Sequence, residues 1–273
     1  MIKDITLGQF FPGNTVVHRL DPRMKIILTV AYIVAIFLAK NLYSFALVTL
    51  SAILLVIISG ISWKTIIKSM KPLIFVLAFT TFFNLFWTTG EVPLISFWKI
   101  NIYPEGVIFS VMMILRITSL LVGTTVLLTY TTSPIMLTDA LERLLSPLRK
   151  IKVPVHEFSM MMTIALRFIP TLVEETDKIM SAQKARGADF ESGSLMKRAK
   201  ALVPILIPLF ISAFRRADDL ATAMECRCYR GGDGRTRMTK LKLAFRDFGA
   251  ILVMALFVAA IISLNLLPTA FAL

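Results

Sequence analysis

Hydrophobic residues in this chain gather in long uncharged runs separated by short polar stretches. Five runs stand out: Met24 to Ala39, Leu42 to Ile61, Pro72 to Thr89, Gly106 to Tyr130 and Leu243 to Leu267. Most reach the roughly 20 apolar residues a helix needs to cross hydrocarbon, and the first is the shortest. The fold class they predict is all-α, a polytopic membrane protein of about five transmembrane helices with long cytoplasmic helices between the fourth and fifth. Three regions follow: residues 1–130 with four spans at about 24–39, 42–61, 72–89 and 106–130, a cytoplasmic helical domain over 131–242, and a C-terminal membrane helix within 243–273. The first run starts after more than twenty mostly polar residues and no small-residue cleavage site follows it, so a cleavable signal peptide is not expected.

Between the fourth and fifth runs the pattern changes. Ser133-Pro134 opens a short helix through Leu137, Leu141 and Leu144-Leu145 to Pro147. A second helix starts near Pro154 and runs to Arg186, where Gly187 supplies a stop. A third runs from about Leu195 to Arg230 and meets Gly231-Gly232. The last two are each roughly 50 Å long at 1.5 Å per residue. Pro170 predicts a kink in the first of them, and Pro204 with Pro208 in the second. Each carries an apolar half followed by a charged half. Phe158 to Leu172 is apolar apart from Arg167, and Glu174, Glu175, Asp177 and Lys178 follow; Ala201 to Phe214 is uncharged, and Arg215, Arg216, Asp218 and Asp219 follow. About 14 residues is short for a span and suits a re-entrant, interfacial or protein-covered helix. Two further spans are the competing reading, but Ser181 to Lys200 between them is rich in Lys and Arg and belongs inside. Met160, Met161, Met162, Met180, Met196 and Met224 serve either as core filler or as an adaptable surface for several partners.

Composition narrows the class. The 273 residues are 56% hydrophobic with net charge +13, and mean hydropathy is +0.76. A soluble domain is rarely so apolar, and a nucleic-acid binder would not carry such uncharged runs, so no nucleic-acid partner is expected. Basic residues sort by side. Lys3, Arg19, Arg23 and Lys25 precede the first run, Lys64, Lys68 and Lys71 lie between the second and third, and most of the rest fall between Thr131 and Lys242. The opposite loops hold only Lys40 and Lys99. The positive-inside rule then places the chain in the plasma membrane with its N-terminus cytoplasmic and its C-terminus extracellular.

The search for chemistry returns mainly absences. No G-x-x-x-x-G-K-[ST] occurs, and Gly231-Gly232-Asp233-Gly234 lacks the phosphate-holding lysine. His18 and His156 are far apart, and Cys226-x-Cys228 has no nearby third ligand, so neither a metal nor another cofactor is expected, and a disulfide is disfavoured in the cytoplasm. No nucleophile–base constellation points to an enzyme. The first four runs hold no Asp or Glu, and no internal repeat supplies inverted symmetry, which argues against a stand-alone permease or channel with a regulatory insert. Arg116 is the one charge inside a run, about ten residues in; Asn84, Thr118 or backbone carbonyls are its candidate partners, and it serves either structure or a substrate path.

What remains is a pair of arginines. Lys184-Ala185-Arg186-Gly187 and Glu225-Cys226-Arg227-Cys228 each close a long basic helix. An arginine held at a helix tip makes planar, charge-assisted bonds to carboxylates and carbonyls; the simpler reading is a cation favourably placed at a helix C-terminus.

The run Gly8-Gln9-Phe10-Phe11-Pro12-Gly13-Asn14-Thr15-Val16-Val17-His18-Arg19-Leu20-Asp21-Pro22-Arg23-Met24-Lys25 resembles the opening signature of the T component of energy-coupling factor (ECF) transporters, the EcfT and CbiQ-like family. Thr138-Asp139-Ala140-Leu141-Glu142, Ala165-Leu166-Arg167-Phe168-Ile169-Pro170 and Ala182-Gln183-Lys184-Ala185-Arg186-Gly187 follow in that family's order. The resemblance covers nearly the whole chain and is closest to the shared T proteins of Gram-positive bacteria. It implies a complex with two ABC-type ATPase subunits and a small membrane S component that captures a vitamin or metal ion. It implies ATPase docking through Ala185, Arg186 and Gly187 and through Cys226, Arg227 and Cys228, the second motif carrying cysteines where small residues are common. It further implies that the apolar halves, through Met161, Ile164, Phe168, Leu206 and Phe210, face the S component, and that hydrolysis belongs to the partners.

The expected topology is checked by reporter fusions. A reporter after Gly90 or at Leu273 reads external and one at Gly193 reads internal; an external signal at Gly193 would overturn the five-span arrangement.

Overall fold

Each apolar run folds as helix, and the residues at its ends explain where it starts and stops. The computed structural model describes residues 10–88, 95–97, 100–190, 194–232, 241 and 243–266. Gly8-Gln9 of the opening motif, Thr89, Gly90, Lys99, Ser192-Gly193, Asp233-Gly234 and the stretch from Leu267 to Leu273 lie outside the described residues. The elements in order are α1 (Pro22–Leu38), α2 (Leu42–Ser59), α3 (Trp63–Met70), α4 (Ile74–Trp87), a short hairpin of β1 (Ile95–Phe97) and β2 (Ile100–Ile102), α5 (Pro104–Thr124), α6 (Pro134–Leu144), α7 (Val155–Ala185), α8 (Leu195–Cys226) and α9 (Phe245–Asn265). The hairpin pairs Ile95 with Ile102 in antiparallel register and occupies the loop before α5.

Caps follow from the sequence. The Asp21 side chain accepts from the Arg23 amide at 2.9 Å, with Pro22 at the first helical position of α1. Gly60 closes α2 at φ 68°, a conformation that suits glycine. Asp247 in the first turn of α9 reaches back to the Ala244 amide at 2.7 Å. One boundary differs from expectation. The third run begins not at Pro72 but at Trp63, because Lys71–Leu73 forms a 3-10 turn that carries α3 into α4. Pro72 sits in that turn's first positions, where its missing N–H is tolerated. Lys64, Lys68 and Lys71 are therefore on helix and not in a loop.

Among the described residues, four helical stretches are long and apolar enough to cross a membrane: Leu42–Ser59, Trp63–Trp87, Pro104–Tyr130 and Phe245–Asn265. The 17 residues of α1 give only about 26 Å. Pro104–Tyr130 takes in Glu105, in the first turn of α5, where an acid complements the helix N-terminus.

The chain forms two compact units, one taking the helices up to the start of α6 together with α9, the other running from Thr138 inside α6 through the end of α8. In the membrane unit, Tyr32 lies at the centre. Its ring stacks on Phe257 of α9 at 5.9 Å between centroids, and a side chain at Gly123 of α5 would collide with it. Gly106 and Ser110, one turn apart on α5, let α4 come close: a Cβ at 106 would sit 3.2 Å from the Asn84 carbonyl, as small residues do at helix crossings in membranes. The outer surface of α4 carries Phe75, Phe79, Phe82 and Trp87 exposed.

Polar contacts fix both ends of this unit. At one end the buried Lys25 ammonium donates to the Thr131 carbonyl at 2.8 Å and to the Thr131 and Thr132 hydroxyls and the His18 carbonyl at 3.2 Å. These acceptors cluster where α5 closes through the π-helical turn Thr125–Tyr130, so a cation there meets the negative end of the helix. Beside it Asp247 accepts from the Asp21 amide at 2.9 Å, and Asp21 pairs with Arg23 at 2.8 Å. His18 pins the preceding loop, bonding Thr15 at 2.7 Å and the Phe11 carbonyl at 3.0 Å. Burial lowers its pKa from the ordinary imidazole value, the Phe11 carbonyl opposes that, and Lys25 adds a smaller lowering. At the other end Asn265 donates to the Leu38 carbonyl at 2.7 Å and accepts from Ser44 at 2.8 Å. There Arg116 donates to the Ala39 carbonyl at 3.2 Å, with its guanidinium 5.0 Å from the Phe45 ring centroid. Of the partners expected for Arg116 the backbone carbonyl is the one found; Asn84 instead bonds Thr80 on its own helix. The starts of α1 and α9 thus share one end with the close of α5, and the ends of α1 and α9 share the other, so α1 and α9 run parallel.

Gly123→Ala should lower the stability of the detergent-solubilised protein by about 1–3 kcal/mol, because the Tyr32 ring has no free path away. Thermal melting reads it, and an unchanged midpoint would contradict the close α1–α5 approach.

Candidate functional site

The second unit presents both arginines at helix ends of the same construction. Arg186 is the C-cap of α7 at φ −85°, ψ 7°, and Arg227 is the C-cap of α8 at φ −90°, ψ 12°. After each, one residue turns left-handed: Gly187 at φ 87° and Cys228 at φ 54°. The Gly187 amide bonds the Lys184 carbonyl at 3.0 Å and the Ala188 amide bonds Gln183 at 3.0 Å. On α8 the Cys228 amide bonds Glu225 at 2.8 Å and the Tyr229 amide bonds Met224 at 3.0 Å. Both are Schellman closures, in which reversed amides satisfy the last helical carbonyls. Both arginines are exposed, as are Ala185, Gly187, Cys226 and Cys228. Neither guanidinium bonds a described residue. The end of α8 corrects the expectation of a helix to Arg230: it stops at Cys226, because Cys228 adopts the left-handed conformation three residues before Gly231.

The two helices are also matched along their length. Glu175 on α7 pairs with Arg216 on α8 at 2.9 Å. The Ser212 hydrogen bond, and next Arg216 and Lys178, hold the Glu175 carboxyl below its usual range against the opposing effect of burial. Arg186 lies eleven residues beyond Glu175, and Arg227 eleven beyond Arg216. Each tip therefore extends about 16 Å past the crossing contact. The start of α7 is tied to the far side of the α8 tip: a side chain at Gly232 would collide with the His156 ring, and His156 Nδ1 bonds Glu142 of α6 at 2.9 Å. The Arg227 tip thus lies near the start of α7 and the Arg186 tip at its other end, with about 46 Å of helix between.

On the apolar halves the five expected residues divide. Met161, Leu206 and Phe210 are exposed at 58%, 58% and 66%, whereas Ile164 and Phe168 are half-buried. Leu206, Ile207, Phe210, Ile211 and Leu172 line one apolar groove, and Phe210 leans on Phe214 at 4.6 Å between centroids. Among the described residues of α8, Ile205 alone is buried. A surface this apolar and this open is a contact surface or a liability. Sequence reasoning missed the Glu175–Ser212–Arg216 contact. The signal was present: setting Arg186 over Arg227 places Glu174-Glu175 over Arg215-Arg216, with opposite charge at equal distance from each tip.

Residues 13–238 match the CbiQ family, described as cobalt transport protein. Relatives named energy-coupling factor transporter transmembrane protein EcfT are similar over almost all of the chain. That of Clostridium kluyveri is 54% identical over 253 residues, covering 92% of this chain and 93% of its own. That of Bacillus subtilis is 45% identical over 268 residues, covering 97% and 100%, and that of Lactococcus lactis subsp. cremoris is 44% identical over 261 residues, covering 96% and 97%.

Gly187→Val should strain the left-handed position by about 1–2 kcal/mol and speed hydrogen exchange of the Ala188 amide roughly tenfold. Unchanged exchange would show that the closure does not hold the end of α7.

Proposed function

The chain belongs to the CbiQ family and to its energy-coupling factor transmembrane proteins, and from that membership we propose that it is the energy-coupling subunit of an ECF-type ABC importer for vitamins or other micronutrients. The observation that carries the reading is the matched pair of exposed arginines, each at a Schellman-closed helix tip and each equally far beyond one crossing contact. A catalyst has no use for two such tips 41 residues apart on separate helices. A subunit moved by two copies or homologues of one motor does.

Each arginine docks in a groove of one ABC-type ATPase, where its planar fork meets carboxylates and carbonyls. Nucleotide-driven closure of the ATPase pair moves both tips. Rigid helices carry that motion to the apolar halves, which grip the S component through Met161, Leu206 and Phe210 at the surface, with Ile164 and Phe168 behind. The chain itself is non-catalytic, and substrate capture belongs to the S component. The membrane unit anchors the assembly, with α1 as a fifth, short crossing. The shared end of Lys25, Thr131 and Asp247 faces the cytoplasm, where the basic segments lie, and the shared end of Asn265 and Ala39 faces outward. That orientation places the N-terminus inside and the C-terminus outside.

Two classes of variant separate the two contacts. Arg186→Glu or Arg227→Glu sets a like charge against an acidic groove and should cut ATPase co-purification with the tagged chain at least tenfold while the S component stays. Lysine at either site should recover only part of it. Leu206→Asp or Phe210→Asp should do the reverse. Reversed arginines that retain both ATPases, in protein present at normal membrane levels, would overturn the docking assignment.

A further inference from the structure

The contact where α7 meets α8 has a place in this mechanism that the docking tips alone do not explain. Its surroundings are apolar: Leu172, Leu209 and Ala213 line the groove beside it. Apolar packing is non-directional and leaves two helices free to slide or rotate past one another. The polar contact is not free in that way. The Glu175 carboxylate takes a bond from Arg216 at 2.9 Å, and Ser212, one turn earlier on the same helix, also acts on that carboxylate and helps hold its pKa down. Two polar groups one turn apart, meeting one carboxylate, fit a single register. The Arg216 side chain is 42% exposed and that of Glu175 is 23% exposed, and a solvent-accessible pair adds little to stability. What it fixes is position.

Its location in the sequence gives that position meaning. Glu175 is eleven residues from Arg186 and Arg216 is eleven from Arg227. The same offset of 41 relates Ser181 to Thr222, and Gly187 to Cys228. A slip of α7 by one turn would leave one arm longer than the other by about 5.4 Å. That is more than the reach tolerated by a charge-assisted bond, so one tip would seat and the other would miss.

We propose that the Glu175–Ser212–Arg216 contact is a positioning clamp, the pivot that holds the two arginine tips at equal reach so that both seat at once and move together. The proposal rests on the docking reading above. Glu175, Ser212 and Arg216 touch neither substrate nor nucleotide; they act through the tips.

The test uses the full chain in its native complex, with Glu175→Arg, Arg216→Glu and the exchanged pair carrying both. Spin labels at Ser181→Cys and Thr222→Cys, equivalent exposed positions on the two arms, report the separation of the arms in a background with Cys226 and Cys228 changed to Ser. Co-purification of the ATPases with the unlabelled variants reports docking. Each single reversal should broaden or shift the distance by several ångströms and lower retention of the paired ATPases at least fivefold. The exchanged pair should return the distance distribution to that of the starting protein and ATPase retention to within twofold of it, which a merely destabilised crossing would not do. If a reversal lowers the amount of protein in the membrane, Glu175→Gln, which keeps the side-chain volume and adds no repulsion, carries the same two readouts. Unchanged distances in the single variants, or an exchanged pair no better than its parents, would overturn the clamp. A changed distance with both ATPases still bound would leave the clamp standing and count against the docking reading. Loss of the ATPases on Arg186→Glu with no response to the clamp variants would overturn the clamp and leave docking intact.

Discussion

A helix ends with carbonyls that have no partner inside it, and the way this chain satisfies them at two places governs what it can do. At Ala185 and again at Cys226 the backbone turns left-handed one residue past the cap, and two amides fold back onto the last turn. That closure stops the helix sharply, which keeps the side chain at the cap from fraying with it. An arginine there is held on a rigid base while its guanidinium stays free. Glycine makes the turn without strain in the first motif. Cysteine makes it in the second at some cost in backbone energy, and that cost is borne at a tip with little else to hold it in place. The dipole at each helix end favours a cation there in any case, by about 0.3–1 kcal/mol. Repetition of the full geometry at a matched distance from one crossing is what that modest preference does not account for.

The membrane unit solves the same problem by other means. Its helix ends are capped by side chains from neighbouring helices. Lys25 covers the close of α5, Asn265 covers the close of α1, and Arg116 takes the Ala39 carbonyl. Asp247 serves two helix starts at once. Each of these side chains joins elements more than seventy residues apart in the sequence. They give the unit directional contacts that lipid-like packing between apolar helices does not supply.

Much of this was legible in the sequence, and the failures have physical causes. Length and apolarity located the membrane helices, since a span has few alternatives. Gly187 marked the end of α7 because only a left-handed residue reverses the chain so tightly. The end of α8 was misplaced because the stop there is a cysteine, which carries no such signature, and the glycines after it drew the boundary outward. Pro72 was read as a helix start although a 3-10 turn accommodates it within one long stretch. The arginines of the tips were legible as a pair. The contact behind them was legible only in part: aligning the two tips sets Glu174-Glu175 over Arg215-Arg216, but that the two helices cross at that point is visible only in the fold. Lys25 counted as an ordinary basic flank, yet it is buried at 1% exposure, and only the fold shows which acceptors surround it.

The central claim is that both arginine tips meet an ATPase at the same time. Site-specific photo-crosslinking tests it most directly, with a photoreactive residue placed at Ala185 or at Cys226 in chains assembled in their native membrane. The account predicts an adduct to an ATPase subunit from each position, and a species carrying two ATPases when both positions are labelled. Adducts confined to lipid or to a small membrane protein, or an ATPase captured from one tip only, would contradict it.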